Sequence, residues 1–184
     1  MKIIDLENIQ TRNVSTKEIN GRFIPLYRDW ENKIEQPQFV YMSACEVGEV
    51  KGPHLHRLRT ANFACVKGSV VFITQEPTGY CETIVTATEP KTIHIEPNIP
   101  CAHINIGFEE AIIINICSPA WKPDNQDSEN VKFEGYDWFK WVEHMRKKLL
   151  PHSTICNKND CDCGVETNNN KVIEVIRKMK AWNK

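Results

Sequence analysis

From Gln38 onward the chain alternates short apolar runs with turn-forming clusters. Phe39–Cys45, Asn62–Val66, Ser69–Thr74, Glu82–Thr86, Lys91–Glu96 and Ala111–Cys117 are rich in Val, Ile, Thr and Phe, residues that suit a pleated, half-buried surface. Lys67-Gly68, Pro77-Thr78-Gly79 and Glu89-Pro90 punctuate them. No long helical period interrupts this region, so the pattern predicts an antiparallel sandwich or barrel. Ile112-Ile113-Ile114 is apolar on both faces. One face is expected to fill the barrel and the other to pack on a second sheet or subunit. Residues 1–35 hold only short β-like pieces, Ile3-Ile4 and Arg22–Tyr27, read as an edge or dimer element.

After Pro123 the pattern changes. Asp124–Asn130 is a polar loop, and from Tyr136 the apolar residues Trp138, Trp141, Val142, Met145 and Leu149 recur at helical spacing. The spacing predicts a helix from Tyr136 to Leu150, stopped by Pro151. Asn157–Asn170 is polar, and a last short helix is expected over Lys171–Asn183. The organisation read from this is a β-barrel over residues 1–135 and a helical C-terminal appendage over 136–184.

The 184 residues, 41% of them hydrophobic, suit one domain with a real core. A net charge of −1 supplies no global attraction for nucleic acid or an anionic membrane, so neither is expected as a partner. No apolar run approaches the ~20 residues of a membrane span, and acids interrupt the first residues. The expectation is a cytoplasmic protein whose eight cysteines stay as thiols or metal ligands.

The chemistry concentrates at Val50–Thr60. In an extended strand His54 and His56 project from one face, about 7 Å apart, and neutral imidazoles titrating near pH ~6.5 serve as bases, proton carriers or metal ligands. His103 shares a strand face with Asn105, and is either a core histidine or part of the same site. Asn115 is the polar residue inside Ile112–Ile116 and needs a partner; it either satisfies backbone or points into the lumen. Lys51, Arg57 and Arg59 add positive charge suited to a phosphate, and Trp121 offers a stacking face. His94 reads as peripheral and His144 as a solvated helix position. In the tail, His152, Cys156, Cys161 and Cys163 are either a zinc set or reduced thiols.

Gly48, His54, His56 and Gly68 reproduce most of the first cupin motif, and Pro97–Asn105 resembles the second. The motif's glutamate is missing at Thr60 or Ala61. The resemblance implies a mostly β cupin, a jelly-roll antiparallel barrel followed by short C-terminal helices. Within the cupins, Lys51–Arg57 resembles the signature of dTDP-sugar 3,4-ketoisomerases and, more distantly, of dTDP-4-dehydrorhamnose 3,5-epimerases. Cys117–Pro123 and Gly135–Phe139 extend the similarity, so that it covers about Phe39 to Phe139.

This resemblance implies an isomerase or epimerase of a dTDP-4-keto-6-deoxyhexose in deoxysugar or polysaccharide-precursor synthesis, working as a homodimer without a required cofactor. Carried over, His54 matches the epimerases' base, and His54 with His56 the ketoisomerases' pair; from the residues themselves, Lys51, Arg59, His103, Asn115 and Trp121 are expected to contact the substrate. The epimerases' tyrosine falls at Asn115, and their lysine near Ala61. Two other readings stand beside it. One is a metal-dependent oxygenase or isomerase holding Fe, Mn or Zn through His54, His56 and His103; the other is a cupin that binds a sugar nucleotide without catalysis.

Overall fold

The computed structural model describes residues 1–31, 35–149 and 173. Its strands are β1 (Lys2–Asp5), β2 (Ile9–Arg12), β3 (Ile19–Phe23), β4 (Phe39–Cys45), β5 (Val50–Leu55), β6 (Thr60–Lys67), β7 (Ser69–Glu76), β8 (Gly79–Thr86), β9 (Lys91–Ile95), β10 (Cys101–Asn105), β11 (Ala111–Ser118) and β12 (Glu129–Asn130). Helix α1 spans Phe139–Leu149. The expected tail helix and the set His152, Cys156, Cys161 and Cys163 lie outside the described residues.

Two five-stranded sheets, β1-β9-β6-β11-β4 and β12-β5-β10-β7-β8, form an antiparallel jelly-roll, with β2 and β3 as a separate hairpin. The alternation along β7 shows how one strand serves two layers. Val70 and Phe72 point between the sheets, where they meet Phe63, Val85, Ile93 and Ile113. Val71 and Ile73 point the other way, onto Trp138, Trp141, Val142 and Met145. Each such side chain contributes about 1.5–3 kcal/mol on burial. The second apolar face of β7 is thus covered by the chain's own helix rather than by another sheet or subunit.

Several expectations shift by a few residues. Helix α1 begins at Phe139, not Tyr136, because the Asp137 carboxylate accepts the Phe139 N–H at 3.0 Å and caps the turn. Tyr136 and Trp138 still join the core ahead of the helix. Within Arg22–Tyr27 only Arg22 and Phe23 are in a strand. The polar loop Asp124–Asn130 ends in β12, which pairs Glu129 with Leu55 and Asn130 with His54. His144 is not a solvated position: its ring packs 5.7 Å from Trp141 and its Nε2 is buried.

Candidate active site

Strand alternation places Lys51 and His54 on opposite faces, yet both line one cavity. The cause is a bulge. Cys101 pairs with His54 and His103 with Lys51, so β5 carries one more residue than β10 across that interval. Gly52 permits it: with φ +88°, a Cβ there would lie 2.7 Å from the Cys101 carbonyl oxygen, a contact no side chain tolerates.

The cavity, about 150 Å³, opens between the sheets and is lined by Tyr41, Ser43, Lys51, His54, His56 and His103, with Asn115 behind them. Phe63, Cys101, Ala102 and Ile113 complete its wall. No carboxylate is among these residues. His56 lies just past the end of β5 and still reaches the cavity.

Each imidazole has a different setting. His54 Nδ1 lies 3.0 Å from Asn130 Oδ1. His56 Nδ1 donates to the main-chain carbonyl of Asp127. Burial holds the His56 pKa below the usual histidine value against the pull of that carbonyl, and the Arg59 charge lowers it further. His103 is 8% exposed, with its ring 5.1 Å from Phe72 and 6.2 Å from Phe63, and its Nε2 has no partner. Burial first, then the Lys51 charge, brings its pKa down to about 4, so it is neutral at pH 7.

Asn115 does both things its sequence position allowed. Its Oδ1 accepts the Asn62 N–H at 3.2 Å, and its Nδ2 donates to the Tyr41 hydroxyl at 2.9 Å inside the cavity. Tyr41 faces Asn115 directly in the β4–β11 register, and because its oxygen accepts the amide N–H, its own hydroxyl hydrogen stays available to a ligand. Burial raises the Tyr41 pKa and keeps it a phenol.

The expected residues Lys51, His54, His56, His103 and Asn115 therefore converge. Arg59 and Trp121 are not on the cavity wall. Arg59 is 5% exposed with a partnerless Nε, close enough for its charge to act on His56 and Tyr41. Trp121 is 42% exposed. His94 is bound to Asn62 and Glu96, away from the cavity. Tyr41, Ser43 and Cys101 were missed; only strand register brings them to the histidines.

The three-histidine metal alternative does not fit. Among the described residues no group of three or more His, Cys, Asp or Glu side chains could hold a metal ion.

An antiparallel jelly-roll with imidazoles, an amide and a phenol gathered inside one end defines a cupin. The match is more particular than that: the family model described as "FdtA: WxcM-like, C-terminal" matches residues 1–137, and the chain belongs to that family. Among solved structures, a dTDP sugar isomerase from Desulfovibrio desulfuricans G20 has a TM-score of 0.62 at 17% identity, covering 74% of this chain and 89% of that one. ChmJ, a 3'-monoepimerase from Streptomyces bikiniensis in complex with dTDP-quinovose, has 0.58 at 14% identity, covering 71% and 68%. A dTDP-4-dehydrorhamnose 3,5-epimerase from Elizabethkingia anophelis NUHP1 also has 0.58 at 14%, covering 74% and 79%. At these identities the likeness is one of fold. No curated protein matches the sequence.

Proposed function

We propose that the protein is a nucleotide-sugar isomerase, acting on a dTDP-4-keto-6-deoxyhexose by moving a proton next to the ketone. The observation that carries this is the cavity itself: three imidazoles, a phenol and an amide, with the Lys51 amine and no carboxylate. A proton next to a ketone becomes acidic only when the enolate oxygen is stabilised, and a neutral histidine removes it efficiently. His54 and His56 supply the base and the returning proton. The unpaired His103 Nε2 and the Tyr41 hydroxyl are donors for the developing oxyanion. Lys51, on the cavity wall, suits the diphosphate.

The reaction is tested by incubating dTDP-4-keto-6-deoxyglucose with the protein in heavy water and locating deuterium by NMR. Deuterium that depends on His54 and His56 is expected on a carbon beside the ketone, and its position separates epimerase from ketoisomerase. Tight binding with no exchange would reduce the protein to a sugar-nucleotide-binding cupin.

The same reading includes a homodimer. Val40 and Met42 are 56% and 65% exposed on β4, an edge strand of its sheet. Hairpin β2–β3 is separate from both sheets, and β3 is exposed along its length; an isolated hairpin is marginal alone. A second copy buries both features. Sedimentation is expected to give a dimer that Met42→Lys splits, and a monomeric wild type would refute it.

A further inference from the structure

The loop before β12 is bound to the segment after β5 by an unusual set of contacts. The Asp127 carboxylate accepts three consecutive backbone N–H groups: Arg57 at 2.8 Å, Leu58 at 3.2 Å and Arg59 at 2.9 Å. Burial alone would raise its pKa, but these three donors outweigh that and hold it below the usual aspartate value. Asp127 has φ 28°, a backbone conformation that residues other than glycine adopt uncommonly. Beside it Glu129 grips Arg57 with both carboxylate oxygens, each at 2.9 Å. Local strain of this kind persists where the surroundings over-determine it. Here it turns the Asp127 carbonyl onto His56 Nδ1.

A carbonyl only accepts, so Nδ1 of His56 carries the hydrogen and Nε2 is left with its lone pair. His54 is held differently. Its Nδ1 faces the side-chain amide of exposed Asn130, and an amide presents oxygen or, after a half-turn, nitrogen.

We propose that Asp127 is a positioning residue that commits His56 to the base's role, while Asn130 leaves His54 able to present Nε2 as acceptor or donor. This rests on the proton-transfer reading above. In the step itself, His56 Nε2 takes the proton from the carbon beside the ketone. The C–H electron pair passes into the enolate, and the resulting imidazolium keeps its Nδ1–H on the Asp127 carbonyl. Returning the proton to carbon restores the neutral ring.

The test is imidazole nitrogen NMR on unliganded full-length protein at pH 8, with Asp127→Ala, Asp127→Asn and Asn130→Asp beside the wild type. The wild-type His56 is expected as the Nδ1–H tautomer alone. Asp127→Ala releases the ring to a mixture led by Nε2–H, the form an unconstrained histidine side chain favours. It also lowers kcat for heavy-water exchange roughly ten- to hundred-fold with KM unchanged. Asp127→Asn retains an acceptor for part of the N–H cluster and recovers part of both effects. Asn130→Asp locks His54 as Nδ1–H without altering His56.

A wild-type His56 protonated at Nε2 overturns the proposal, and that spectrum stands even if a variant fails to fold. An Asp127→Ala spectrum identical to wild type overturns it too. If the tautomers are as expected but no dTDP-sugar exchanges, the positioning stands and the proposed reaction falls.

Discussion

The two ends of the space between the sheets are built from the same strands and differ in what those strands carry. Along β4 and β11 the paired inward positions run Cys45 with Ala111, then Ser43 with Ile113, then Tyr41 with Asn115. Polarity rises step by step toward one end. At the closed end Val70, Phe72, Val85 and Ile93 are at most 1% exposed; at the open end the imidazoles line a cavity. Phe63 and Ile113 belong to both. The arrangement assigns stability to one end and chemistry to the other, and substitutions at the two ends should separate the two properties.

The largest effect is expected at the open end. His56→Asn removes the proposed base, and the rate of deuterium exchange should fall by roughly 10²–10⁴-fold. Its unfolding midpoint in urea should stay close to wild type, because the ring is only partly buried. Phe72→Ala inverts that result. Phe72 is 1% exposed and tilts against Phe63 and His103, both at 5.1 Å, so the variant should lose about 3–5 kcal/mol of unfolding free energy. A Phe72→Ala protein that kept its stability would show that the closed end is not a packed core.

How far this gradient is legible from the sequence depends on the range of the contacts. Strand β4 was bounded correctly because Phe39–Cys45 is bracketed by turn residues, and the histidine motif carries its own spacing. The bulge at Gly52 is different. It turns Lys51 to the side of His54, and it requires the Cys101 carbonyl, which is distant in sequence. Tyr41 reaches Asn115 only through the β4–β11 register, 74 residues apart. Asp127 contacts Arg57 from 70 residues away, and in sequence it is one polar residue in a polar loop. Local alternation encodes faces; register and loop docking, set by the whole fold, choose which faces meet.

His103 sits between the two ends, and pH should reveal it. Its folded pKa is about 4, against ~6.5 unfolded. Between those values the unfolded chain binds a proton that the folded chain refuses, so stability is fully present above pH ~6.5 and falls as pH drops toward 4. The loss from this residue is at most roughly 3 kcal/mol. His56, also depressed, adds a loss of the same sign. His103→Leu should flatten the acid limb of stability measured between these pH values, and an unchanged slope would count against a buried neutral ring.

The smallest change in stability is expected at the pair where polarity peaks. Tyr41→Phe removes the oxygen that accepts the Asn115 Nδ2–H at 2.9 Å, and losing one such hydrogen bond costs about 0.5–1.5 kcal/mol. Asn115 remains anchored because its Oδ1 still accepts the Asn62 N–H. Asn115→Leu should cost more, since it strands that N–H beside the Tyr41 hydroxyl in a buried wall. For exchange the order reverses: Tyr41→Phe removes a hydroxyl hydrogen proposed to meet the substrate oxygen and should lower kcat more than Asn115→Leu does. If both variants instead follow stability, the pair is structural, and the chemical end of the barrel begins at the histidines.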